Sequence, residues 1–175
     1  RFAGGLTGYF GFETAHFIEP RLGLFAQKHP KPDHLGVPDI LLLLTEELAV
    51  VDNLSGTISL IVYADPAKPD AFQRGNERLA ELRAKLREPA RLPLQHATTA
   101  VNAESQMGQA AYEAAVKVCK DYIAAGDCMQ VVPSQRMVMD FPEPPISLYR
   151  AMRTLNPSPY MFFYNFGDFH VVGAS

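Results

Sequence analysis

Two prolines a single residue apart, in Asn156-Pro157-Ser158-Pro159, restrict this chain more than any other short stretch. Each proline fixes its own φ and removes a backbone donor, and each disfavours α geometry in the residue before it. A helix arriving from Ile146 therefore ends at Asn156, and the four residues form a stiff corner. Upstream, Leu148, Met152 and Leu155 fall at i, i+4 and i+7, an amphipathic stripe. Downstream, Tyr160–Phe166 and Phe169–Val172 read as strands on either side of a Gly167–Asp168 turn. The expected unit is helix, rigid corner, hairpin.

The rest of the chain gives the same mixture of elements. Gly4–Gly11 alternates glycines with apolar and aromatic residues, as in a strand that lets another backbone approach closely. It lacks the G-x-G-x-x-G spacing of a nucleotide cradle. Glu13–Ile18 reads as a short helix stopped by Pro20, and Lys28–Pro38 as a loop. Ile40–Val51 reads as a strand in one or two segments, its opening apolar run suggesting burial on both faces. Turn residues at Asp52–Asn53 and Ser55–Gly56 then return the chain as a strand over Thr57–Tyr63. Hairpin-joined strands favour an antiparallel sheet over a βαβ layout.

Pro66–Glu88 carries Phe72, Leu79, Leu82 and Leu86 at helical spacing. Its arginines, Arg74, Arg78, Arg83, Arg87 and Arg91, are interleaved with Glu77, Glu81 and Glu88, the pattern of a solvated helix face. Pro89–Ser105 reads as a linker between two regions. Ser105 is the expected N-cap of a helix reaching Ala125, with Tyr112, Val116, Cys119 and Ile123 on its inner stripe and Gly126 at its end.

Cys128–Val138 alternates with period two, placing Gln130, Ser134 and Arg136 on one face of an expected strand. Pro133 cannot donate to a ladder, so that strand should be bulged or at an edge. Its polar face can line a polar cavity or meet solvent, and the pattern alone supports both.

Composition removes some classes of function. A net charge of −3 and a pI of 5.9 give no electrostatic footprint for nucleic acid or an anionic membrane. The longest apolar run, Ile40–Leu44, is far shorter than a spanning helix. The two cysteines, Cys119 and Cys128, form no metal or redox motif, and a reduced, cytoplasmic setting is expected.

Four segments taken in order, GGLTGYFGFE, PDILLLLTEELAVVDN, AAGDCMQVVPSQRM and NPSPYMFF followed by VVGAS, resemble the anthranilate synthase component I family of chorismate-binding enzymes. The resemblance runs from near residue 3 to Ser175. It implies an α+β fold of antiparallel sheets with helices packed outside. It also implies that the chain is an internal piece of a longer synthase subunit: residues 1–65 close the N-terminal region, 66–108 are helix and linker, and 109–175 begin the chorismate-binding region.

The implied reaction converts chorismate and ammonia to anthranilate and pyruvate. A glutamine amidotransferase subunit would supply the ammonia, and Mg2+ would be held by ligands beyond this stretch. Tryptophan would act as feedback inhibitor against Asn156, Pro157, Pro159, Tyr160, Met161 and Phe162. Gln130 matches the position at which water-adding relatives carry a lysine general base. A neutral amide cannot serve as that base, and ammonia needs none. His16 stands where family members often carry arginine, so no role is carried over to it. Two rivals remain: the aminodeoxychorismate synthase of folate biosynthesis, and an amino-acid-binding regulatory module without catalysis.

Overall fold

The computed structural model describes residues 2–90, 93 and 101–175. The chain divides into two compact units, Arg1–Arg91 and Leu92–Ser175. Both mix helices with two-stranded antiparallel sheets, an α+β architecture.

In the first unit β1 (Gly5–Phe10) pairs with β2 (Ile40–Thr45), from Gly5 opposite Thr45 to Phe10 opposite Ile40. The expected close approach is found at Gly8, where a Cβ would fall on the Leu41 carbonyl. A 3₁₀ turn at Phe12–Thr14 leads into α1 (Ala15–Ile18). The short helix ends at Ile18 before Pro20, as expected, and Pro20 also opens a second helix, α2 (Pro20–Lys28). Proline suits the first helical position, whose N–H has no intrahelical partner, and the Glu19 carboxylate accepts from the Arg21 N–H at 3.1 Å.

The apolar run from Ile40 breaks at Glu46 into β2 and β3 (Glu47–Asp52), and β3 pairs with β4 (Thr57–Val62). Asp52 Oδ1 accepts from the N–H groups of Leu54 at 3.0 Å and Ser55 at 3.2 Å, which closes the turn. These bonds, the Ser55 backbone bond first, lower the Asp52 pKa. Burial on both faces of β2 is not found: Leu44 is 66% exposed.

Helix α3 (Ala71–Lys85) lies against β4. Its half-buried positions are Ala71, Gly75, Arg78, Leu79 and Leu82, whereas Phe72, expected on the inner stripe, points outward and is 83% exposed. Gly75 allows a close approach to the sheet, a Cβ there meeting the Ala64 methyl at 3.6 Å. Arg78 fastens the helix: its Nε and Nη2 donate to Glu47 of β3 at 2.7 and 3.0 Å, and its Nη1 to Glu81 at 2.7 Å. The bond from Arg78 holds Glu47 below the ordinary carboxylate value, and Glu47 in turn raises Arg78.

In the second unit β5 (Glu104–Ser105) pairs with β6 (Met137–Val138). The linker expected at Pro89–Ser105 falls largely outside the described residues. Ser105 is not the N-cap of the next helix. Gly108 is, with φ 78, and α4 covers Gln109–Ala125. Ser105 Oγ sits one turn earlier, accepting from the Gly108 N–H at 2.9 Å and donating to Gln135 Oε1 at 2.7 Å. At the other end Gly126 takes φ 84. Its N–H reaches Ile123 O at 3.1 Å and the Asp127 N–H reaches Tyr122 O at 3.0 Å, a Schellman closure.

The strand expected over Cys128–Val138 is reduced to Met137–Val138. A period-two pattern makes a strand only where a partner offers a ladder, and here only the short Glu104–Ser105 segment does. Helix α5 (Pro145–Leu155) packs on the hairpin of β7 (Met161–Asn165) and β8 (His170–Ala174). Its inner face carries Tyr149 and Met152, and Leu155, expected there, is 84% exposed.

No apolar side chain among the described residues is fully buried, and the accessible surface is 14786 Å². A folded chain of 19.3 kDa exposes about 8,500 Å². The apolar faces of these sheets and helices are present but largely uncovered.

Candidate functional site

The proline corner is built as its residues require. Asn156 leaves helical geometry at φ −138 and ψ 72 while its N–H still donates to Met152 O at 2.8 Å. The helix ends there. Ser158, between the two prolines, supplies the polar contacts its neighbours cannot. Its hydroxyl accepts from the Tyr160 N–H at 3.0 Å and donates to the Ser175 carbonyl, tying the corner to the residue after β8. Asn156, Pro157, Pro159 and Tyr160 are exposed, Tyr160 to 72%.

Alternation along β7 then divides the expected site. Phe162, Tyr164 and Phe166 share one face, with ring centroids 5.6 Å and 5.5 Å apart, and Phe169 continues the row at 5.2 Å. Met161 and Phe163 take the other face, where Phe163 meets Tyr149 of α5 edge-on at 6.0 Å and His170 at 5.5 Å. Met161 and Phe162 therefore point to opposite sides of the sheet. One wall can use Met161 or Phe162, but not both.

Gln130 lies in chain without regular structure. It is exposed, as is Met129 beside it at 98%. Residues 130–136 form no strand, so Gln130, Ser134 and Arg136 do not make the polar strand face that the alternation suggested. Arg136 is engaged elsewhere, its Nε donating to Gln106 Oε1 while its carbonyl accepts from the Gln106 N–H at 3.0 Å. Sequence reasoning left both Ser158 and Gln135 without a role. Ser158 had a readable signal, being the one hydroxyl in a segment short of donors.

Among the described residues no three His, Cys, Asp or Glu side chains gather in a way that could hold a metal ion. No helix there is long and apolar enough to cross a membrane.

Residues 2–175 match the profile of the chorismate binding enzyme family. The chain is 55% identical over 175 residues to anthranilate synthase component 1 of Neisseria meningitidis serogroup B, covering all of this chain and 35% of that protein. It is 51% identical over 180 residues to the component 1 of Pseudomonas aeruginosa, covering 36% of it. The fold matches the crystal structure of anthranilate synthase component I from Streptococcus pneumoniae with a TM-score of 0.75 at 28% identity, over 99% of this chain and 39% of that one. The chain thus spans about a third of the length of the curated relatives it matches.

Proposed function

The chain belongs to the chorismate-binding enzyme family, and on that premise we propose that the polypeptide carrying it is the chorismate-using component of an anthranilate synthase. Such an enzyme adds ammonia to chorismate, expels water and eliminates pyruvate to leave anthranilate. The observation that carries the reading is identity of 51–55% across the whole chain to proteins named anthranilate synthase component 1. Gln130 supports it, because an amide at that place cannot activate water and an ammonia-using enzyme has no need of it to do so.

The same reading brings a glutamine amidotransferase partner, Mg2+ and feedback by tryptophan. The described residues offer no donor set for the cation, and no step through it is assigned to them. For the inhibitor, the exposed corner Asn156–Tyr160 together with Met161 makes one wall. Two fixed φ angles keep that wall from losing much entropy on docking, and the Met161 thioether suits an indole ring.

The test supplies the whole polypeptide with chorismate, ammonium and magnesium and follows anthranilate fluorescence. Anthranilate as the product supports the reading. Aminodeoxychorismate in its place moves the assignment to the folate branch, and absence of any chorismate turnover overturns it.

A further inference from the structure

The arginines of α3 are not used alike. Arg78 donates to Glu47 and Glu81, and Arg74 Nη2 to Pro69 O at 2.8 Å. Arg83 and Arg87 make no side-chain hydrogen bond or ion pair with any described residue. Of the nearby carboxylates, Glu81 pairs with Arg78 and Glu77 accepts from the Gln73 amide at 3.0 Å, and neither Glu77 nor Glu88 forms an ion pair with Arg83 or Arg87.

These two guanidinium groups stand at the rim of a groove of about 800 Å³ between α3 and β4. Its floor is Ile58 and Leu60 of β4, which share one face of the strand, with Leu79 and Leu86 from the helical segment. The apolar surface is open, Ile58 being 56% and Leu86 54% exposed. Ala80 and Ala84 keep the helix wall low along this side, which lets a second helix approach to the usual interaxial distance of about 8–10 Å. The groove runs along the face of the sheet on which α3 lies, so it suits a helix laid beside α3 better than a strand added at an edge.

We propose that this groove docks an amphipathic, acidic helix of a separate partner chain, its apolar stripe on Ile58, Leu60 and Leu79 and its carboxylates on Arg83 and Arg87. An apolar floor with arginine at the rim is the composition of a binding patch, whereas a domain core is depleted of charge. Among the described residues neither cation has an ion-pair partner, so an occupant that brings carboxylates gains both pairings, and the positive charge steers an acidic partner inward.

The experiment uses the whole polypeptide and a labelled synthetic helix with leucines at i, i+3, i+4 and i+7 flanked by glutamates, read by anisotropy. A twin peptide carries lysines in place of the glutamates. The glutamate peptide is expected to bind at least about tenfold more tightly than the lysine peptide. Arg83→Glu with Arg87→Glu is expected to reverse that preference, and Arg83→Gln with Arg87→Gln to abolish it. Equal binding of both peptides, failure of the glutamate peptide to bind, or a preference unchanged in the variants overturns the proposal. So does protection of both arginines from hydrophilic modifying reagents in the polypeptide alone, because the groove would then be filled by the chain's own remainder.

Discussion

The Phe162 ring lies across Gly173, its register partner on β8, so closely that a Cβ on Gly173 would overlap the ring. The same ring leans on Tyr164 at 5.6 Å and, being 39% exposed, can yield only by giving up that contact and moving toward solvent. Gly173→Ala is therefore an overpacking change, with an expected cost of about 1–3 kcal/mol. Chemical denaturation of the whole polypeptide measures it. In a Phe162→Ala background the obstructing ring is gone and most of the Gly173→Ala penalty should disappear. A penalty that is the same in both backgrounds would place the strain elsewhere.

The corner prediction follows from the division of β7. In the whole polypeptide, Pro159→Ala and Met161→Thr should raise the tryptophan concentration for half-inhibition about tenfold, which corresponds to about 1.4 kcal/mol of lost preference for the inhibited state. Uninhibited turnover should stay near that of the parent. Unchanged inhibition in both variants would remove the corner from the inhibitor site.

Acid should loosen α3 from its sheet. Glu47 has its pKa drawn below the ordinary 4.5 by the bond from Arg78. A depressed carboxylate adds stability that is fully present above the unfolded value and fades as pH falls through the folded one. Thermal unfolding should therefore drop below about pH 4.5, and Glu47→Gln should flatten that part of the profile. An identical acid profile in Glu47→Gln would assign the loss to other carboxylates, of which Asp52 is also depressed.

Gln130→Lys in the whole polypeptide should add a trace of water-derived product, isochorismate or salicylate, beside anthranilate, since lysine can act as a base where an amide cannot. Chromatography of the reaction mixture decides it. Anthranilate alone, at the parental rate, would separate this position from the nucleophile.

Local chemistry was legible in the sequence where one residue decided the geometry. The Gly167 turn, with φ 89 and its N–H on Asn165 Oδ1 at 3.0 Å, the Gly126 helix end and the Asp52 turn all fall where their residue types place them. Elements that depend on a partner were harder to read. Residues 128–136 alternate like a strand but have no ladder to join. Leu155 lies on a plausible stripe, yet α5 meets the hairpin through Tyr149, whose ring contact with Phe163 selects the buried face. Pro20 shows a different kind of ambiguity, because proline both ends one helix and begins another. The identity of the corner as an inhibitor wall came from resemblance, but the separation of Met161 from Phe162 follows from alternation alone.

The large accessible surface has a calorimetric consequence. An unfolded chain of 19.3 kDa exposes about 28,000 Å², and the folded chain, at 14786 Å², hides only about half of that, against about 70% for a covered domain of this size. The heat capacity and the denaturant slope of unfolding both scale with the area released. Melted by itself, this stretch should give a shallow, broad transition with about two thirds of the heat-capacity step of an ordinary domain of its length, and the same residues should melt steeply once their apolar faces are covered.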